Sequence, residues 1–425
     1  MATIAPFRAL RYNPSRIRDI GRVVSPPYDV ISPEEKEAYQ SRHLYNITRL
    51  TLPEQSPEGY REAGELFFQW QRERILVRDE EPSLYPYQQV FTSPEERRKR
   101  VRWGVIAVVR LEPEVILSHE RTMGDPVQDR FRLLKATRAQ LSQIFALFSD
   151  PDRRIEGILR EFFLLPPVEE FVDDEGTLHR IWRMEDGELI SRVCRLMREK
   201  RLLIADGHHR FKAALRYREL MRSLHPTAPP NASFEFATMY LTSMDSEGLV
   251  ILPTHRLISR LDDLSSQEII HRLGRFFELK IFVRGEEDRF MDALKKGEGM
   301  GLVIYGNRSH FLLKLRQGRE LLPSVPPEIR YLDATVVDEF ILKELFPIGE
   351  GRVSLGRDRK EVIRAVSEGR YQMAFLLRPP MVEEVRRVAK AGLVMPRKST
   401  FFYPKVATGV AIYSMSPQEE IYVPV

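Results

Sequence analysis

Apolar residues recur along this chain at two periods, near 3.6 in some stretches and 2 in others, and their alternation predicts an α/β or α+β protein. Arg22-Val23-Val24 reads as a short strand, and Ser25-Pro26-Pro27-Tyr28-Asp29 as a stiff loop, because two prolines fix φ and remove donors. A helix opens at Ser32, with Pro33 at its first position and Glu35 completing a capping box. Residues 58–76 form a second helix, with Tyr60, Ala63, Leu66, Phe67 and Trp70 on one face. Leu84–Phe91 and Val101–Leu111 are extended and flank a charged hairpin loop, Ser93–Arg100; Val115–Glu120 is a third strand. Asp125, boxed by Gln128, starts a helix expected to reach Phe145.

Further on, the apolar strand Leu202–Ala205 leads through Asp206-Gly207-His208-His209-Arg210 into a helix over Phe211–Leu224. The proline-rich stretch His225–Asn231 must end that helix. Glu235–Met244 and Leu249–Leu257 suit a strand pair across Asp245–Gly248, and residues 265–316 read helix, strand, helix, strand, strand. Gly409–Met415 is a closing strand, and no fixed-period repeat is present. The expected organisation is a core over 1–230, an α+β module over 231–330, and a carboxy-terminal segment, 331–425, that completes the core or its site.

The composition adds exclusions. Hydrophobic residues make up 43% and charged residues 30% of the 425, which is a folded composition. The 66 basic and 61 acidic residues are interleaved, without the one-signed block of a nucleic-acid-binding arm, so no specific nucleic-acid partner is expected. Cys194 is the only cysteine, which leaves neither an intrachain disulfide nor a cysteine metal cluster. The amino-terminal residues lack a signal-peptide pattern, and no apolar run nears the roughly 18 residues that span a bilayer. The expected address is cytoplasmic, with no membrane partner.

The string Asp206–Arg210 carries the strongest chemical signal. The first turn of a helix presents unpaired N–H groups and the positive end of the helix dipole, so it attracts anions. Gly207 lets a ligand approach the backbone; His208, His209 and Arg210 add donors; Asp206 at the strand end suits a proton acceptor or a magnesium ligand. The same string also suits Asp206 as a plain helix cap with packed or solvated histidines. Two adjacent helical histidines point about 100° apart, which disfavours a shared metal. In Ser118-His119-Glu120-Arg121-Thr122, strand alternation places Ser118, Glu120 and Thr122 on one face, making Glu120 a candidate base or magnesium ligand, or simply part of a polar strand end. Asp29 lies in a loop between strand and helix, where α/β proteins bind ligands, although a rigid turn explains the loop equally. Lys398, Ser399 and Thr400, with Lys405, offer ammonium and hydroxyl groups to phosphates, but Met395-Pro396-Arg397 replaces the glycines of a Walker A loop. His255 in Pro253-Thr254-His255-Arg256 suits a core histidine as well as a ligand.

Pro6-Phe7-Arg8, Ser25–Asp29, His119-Glu120 with Thr122, Asp129-Arg130, Ala205–Arg210, Pro253–Arg256 and Met395–Lys405 occur in this order, and in that order they resemble the domain of unknown function 1015 family over nearly the whole chain. The Asp-Gly-His-His-Arg string is similar to the phosphate motif of the ParB/sulfiredoxin superfamily and its free-serine kinases. The resemblance implies a ParB/sulfiredoxin-like mixed-sheet core with an additional α+β module. It implies that Gly207, His208, His209 and Arg210 hold the phosphates of a nucleotide, ATP or ADP with magnesium. Asp206 would stand beside the reacting centre, Glu120 would act as base, and Asp29 is the next choice. The implied activity is phosphoryl transfer to a small hydroxyl-bearing substrate such as free L-serine; the alternative is a non-catalytic nucleotide sensor or partner-binding protein using the same site. Asp29, Glu120, His209 and Lys398 are then expected to share one cleft.

Overall fold

The computed structural model describes residues 1–95, 97–120, 124–259, 261, 264–318, 320–396 and 398–424. Arg121, Thr122 and Arg397 of the strings above lie outside the described residues. The chain forms two compact units, one of Met1–Ser118, Thr122–Val250 and Phe402–Val425, the other of His119–Arg121 and Ile251–Phe401.

A mixed sheet organises the first unit. Its order is Ile116–Leu117, Leu202–Asp206, Ile144–Phe148, Phe236–Ser243, Lys99–Arg110, Tyr85–Thr92, Leu178–Ile181 and Glu169–Val172, with Ile4–Ala5 added beside Val108 and Val109. Leu202–Asp206 runs parallel to Ile116–Leu117, and Phe236–Ser243 parallel to Ile144–Phe148; the other neighbours are antiparallel. Alternation along the strands separates two faces. Val105, Ala107, Val109, Ala146, Ile204, Met239 and Leu241 pack under Ile155, Ile158, Val193, Met197, Phe211 and Ala214 of three helices, Arg154–Glu161, Gly187–Arg198 and His208–Leu224. The opposite face carries Gln89, Arg102, Phe145 and Tyr240, all buried, and residues 402–413 bind to it: Gln89 Nε2 donates to the Lys405 carbonyl at 2.8 Å, and Phe145 meets Phe402 at 5.8 Å.

The second unit is built on an all-antiparallel sheet in the order Phe277–Phe282, His310–Leu315, Met300–Ile304, Met373–Leu376, His255–Ile258 and Val353–Gly356. Apolar clusters cover both faces, one around Leu273, Leu302, Phe340 and Phe375, the other around Phe290, Leu312, Val362 and Leu376.

Several local expectations hold at residue level. The Ser32–Glu35 capping box is present with both bonds, and Tyr60, Ala63, Phe67 and Trp70 are buried on Pro57–Arg72. The 85–92/99–110 hairpin forms, as does the helix–strand–helix–strand–strand order within 265–316. Others change. The helix expected to reach Phe145 is Gly124–Thr137, because Arg138 turns left-handed (φ 51°) and Ile144–Phe148, fully apolar and buried, joins the sheet. A short apolar run does not by itself distinguish buried strand from helix. Residues 20–22 form a 3-10 turn and not a strand at 22–24. Strand 236–243 does not pair with the 249–257 stretch; it sits between Lys99–Arg110 and Ile144–Phe148. The boundaries at 230 and 330 therefore move: residues 231–250 include a central strand of the first sheet, and 331–401 supply two strands of the second.

Candidate functional site

The strand Leu202–Asp206 delivers Asp206 to the sheet end, and the chain turns through Gly207 (φ 91°) directly into the helix His208–Leu224. The helix begins earlier than Phe211, whose N–H already donates to the Gly207 carbonyl at 2.9 Å. His208, His209 and Arg210 are therefore its first turn, behind a cap residue that has no side chain to close it. Asp206 does not cap the helix. Its carboxylate lies between two cations, Lys405 Nζ at 2.5 Å and Arg210 Nη2 at 2.6 Å. Burial would push the Asp206 carboxyl up, but Lys405 and Arg210 hold it well below the usual carboxylate range. It is a fixed anion and a weak proton acceptor.

Arg210 is buried, with Nη1 bound to Ser142 Oγ at 3.2 Å and to the Gln143 carbonyl. Its Nε–H, also buried, has no acceptor among the described residues. That nitrogen lies against Gly207, where a Cβ would come within 2.9 Å of it. Gly207 thus combines a left-handed φ with a close approach, and each excludes a side chain. Gly207→Ala is expected to destabilise the first unit by about 1–3 kcal/mol through backbone strain alone, more if Arg210 is displaced. Urea denaturation followed by tryptophan fluorescence would read this, since Trp70, Trp103 and Trp182 all belong to that unit. An unchanged midpoint would remove the constraint.

Lys405 reaches Asp206 because Arg102 holds the chain before it. Arg102 is fully buried, donates to Gln89 Oε1 (3.1 Å) and to the carbonyls of Tyr403 (3.1 Å) and Pro404 (2.6 Å), and lies 4.7 Å over the Phe145 ring. Among the described residues no carboxylate pairs with it; carbonyl dipoles and aromatic faces carry its charge. Sequence reasoning missed Arg102, although an arginine inside the apolar strand 101–111 was a visible irregularity.

The Ser25–Asp29 loop belongs to the same neighbourhood. Thr408 N–H donates to the Ser25 carbonyl at 2.8 Å, and the Tyr28 ring lies 3.9 Å from the Arg130 guanidinium carbon. Burial pushes the Tyr28 hydroxyl up to about 12, while nearby Arg130 and Arg210 pull the other way. Arg130 Nε is bound to Asp129 at 2.7 Å and Nη1 to the Thr51 carbonyl at 2.9 Å; Asp129 also accepts from Tyr60 at 2.5 Å. Asp29 itself is exposed in the turn Tyr28–Val30.

Glu120, Lys398, Ser399 and Thr400 belong to the second unit, whereas Asp29 and Asp206–Arg210 belong to the first. Inside the second unit the remaining strings meet one another. Met395 N–H donates to the His119 carbonyl at 2.8 Å, Glu120 bridges Met395, and His119 Nε2 lies 3.2 Å from Thr400 Oγ1. The Ser399 hydroxyl donates to the Pro396 carbonyl at 2.6 Å, and Lys398 is exposed with φ 53°. Buried Arg256 forms a two-pronged bond with Asp338, 2.9 Å on each side. His255 is a core histidine on one side, with Nδ1 accepting from Leu377 N–H at 3.0 Å.

Among the described residues, no group of three His, Cys, Asp or Glu side chains could hold a metal ion, and no helix is long and apolar enough to cross a membrane.

A mixed α/β protein with a glycine-opened helix, a part-buried Asp206 and two cations upon it is thereby defined. The chain belongs to the protein family of unknown function DUF1015, whose model matches residues 4–335. No curated protein sequence matches it. Similar solved structures include a free serine kinase mutant in complex with AMP (14% identity, 72% of this chain and 92% of that chain, TM-score 0.36). Others are a conserved hypothetical protein from Pyrococcus furiosus (13%, 72% and 95%, 0.35) and C-terminally truncated SbnI from Staphylococcus aureus (10%, 74% and 90%, 0.37).

Proposed function

We propose that the first turn of the helix His208–Leu224 binds nucleotide phosphates and that the protein transfers a phosphoryl group from ATP or ADP to a small hydroxyl-bearing substrate, free L-serine being the first to test. The carrying observation is the part-buried trio Asp206, Lys405 and Arg210 at a helix start that has no side-chain cap. Lys405 and Arg210 bring two positive charges beside the first-turn N–H groups, and among the described residues the buried Arg210 Nε–H lacks an acceptor. A phosphate would supply that acceptor.

In the transfer, the substrate oxygen forms a new bond to phosphorus while the bond to the leaving nucleotide breaks; the hydroxyl proton goes to a carboxylate. Asp206 is ill-suited as that base, because its proton affinity is suppressed by its two partners. Its role in this reading is to hold Lys405 and Arg210 in place, and the base is sought at Asp29 of the same unit. Magnesium enters only as a companion of the nucleotide, whose phosphates ordinarily supply part of its coordination. The suppressed basicity of Asp206 also favours the second reading, a nucleotide sensor without turnover.

Calorimetric titration with ATP, ADP and AMP tests the binding site. Arg210→Ala is expected to weaken nucleotide binding by about one to two decades, the loss of a charge-assisted pair. Wild-type affinity in that variant, with the fold intact, would misplace the site. Incubation with L-serine, magnesium and nucleotide, read by mass spectrometry for phosphoserine, separates kinase from sensor. Binding without any phosphorylated small hydroxyl compound sinks the kinase.

A further inference from the structure

Behind Arg210 lies a cavity of about 50 Å³ lined by Thr51, Arg130, Gln140, Ser142 and Arg210 together with the apolar side chains of Leu133, Leu141 and Ala213. The space is large enough for a carboxylate group. Its polar wall is a built one. Arg130 and Arg210 are each 8% exposed, and each carries five N–H donors. Arg130 spends donors on Asp129 and the Thr51 carbonyl, and Arg210 on Ser142, the Gln143 carbonyl and Asp206, which leaves N–H capacity on both. Ser142 Oγ accepts from Arg210, and a hydroxyl that accepts one bond can still donate its own hydrogen. Two guanidinium groups and a hydroxyl beside leucine and alanine side chains match a small organic acid better than water or an apolar ligand.

We propose that this cavity is the carboxylate subsite of the acceptor, and that the substrate is a short hydroxy acid or hydroxy amino acid. The proposal rests on the phosphate-site reading. Arg210 joins the two places: its Nη1 side faces Ser142 and its Nη2 side faces Asp206. A three-carbon acid is long enough to set its carboxylate at the first and its hydroxyl toward the second. Arg130 and Ser142 then act as specificity residues, and molecules with the hydroxyl but no carboxylate are rejected because the cavity's donors stay unpaired.

Full-length protein would be titrated with L-serine and glycerate, then with serinamide and glycerol, and separately with nucleotide. The acids should bind, with or without the amine, and the two uncharged analogues should bind at least about tenfold more weakly. Ala213→Met fills the cavity without altering a charge and should weaken the acids about tenfold or more while changing nucleotide affinity by less than about twofold. Ser142→Ala, milder for folding, should shift acid binding in the same direction. If nucleotide binds but neither acid does, or if Ala213→Met and Ser142→Ala bind acids as wild type does, the subsite is wrong and the phosphate site stands. If wild type binds no nucleotide, the phosphate-site reading fails, and the substrate assignment that rests on it falls as well.

Discussion

Asp206→Ala is expected to cost the first unit about 3–5 kcal/mol, the penalty for removing a largely buried carboxylate that pairs with two cations. The side chains of Lys405 and Arg210 are only 13% and 9% exposed, so neither can recover its hydration without moving. Both long-range ties would loosen together, since Lys405 comes from the chain's far end and Arg210 also holds the Gln143 carbonyl. Urea midpoints read by tryptophan fluorescence measure the loss. Asp206→Ala combined with Lys405→Met also removes one of the two cations that lose the carboxylate and should recover part of the stability. A double variant no more stable than the single one would show that the Lys405–Asp206 pair is not coupled as described.

The second large effect is a pH dependence confined to the second unit. Burial, helped by Arg359 and Arg256, pushes the His255 imidazole down to about 3. An unfolded histidine takes up a proton near pH 6.5, whereas folded His255 stays neutral. The folded value is depressed, so the stabilising contribution is complete above pH 6.5 and is lost progressively as pH falls from 6.5 toward 3. At about 1.4 kcal/mol per pH unit, the loss across that window is on the order of 3–5 kcal/mol. Hydrogen exchange of the strands His255–Ile258 and Met373–Leu376 should accelerate accordingly between pH 7 and 4, after correction for intrinsic rates. In His255→Gln, which titrates nothing there, this extra slope should disappear. An equal slope in both proteins would assign the acid sensitivity to other groups.

Much of the local architecture was legible in the residues. The Ser32 capping box, the buried face of Pro57–Arg72 and the hairpin about residues 93–98 depend on neighbours within a few positions, and such contacts leave a periodic or capping signature. The chemical weight of Asp206–Arg210 was legible for the same reason, since strand, glycine and basic first turn are contiguous. Two sequence signals misled. Ile144–Phe148 is apolar at every position, a pattern shared by buried helix and central strand, and its sheet neighbours decide between them. Asp206 looked like a base because isolated aspartate is one; only the approach of Lys405 and Arg210 suppresses that basicity.

By itself the sequence determined the α/β class, the order of most elements, the family and the glycine-opened, basic helix start, all of which follow from propensity, periodicity and contiguous residue types. The tertiary structure alone decided which distant groups meet. It carried Lys405 across 199 positions to Asp206, set Tyr28 over Arg130, seated Arg102 on the carbonyls of Tyr403 and Pro404, and divided the family's strings between two units. No local propensity encodes such pairings. They arise when sheet pairing and burial bring remote segments together, and buried charges must then find partners there.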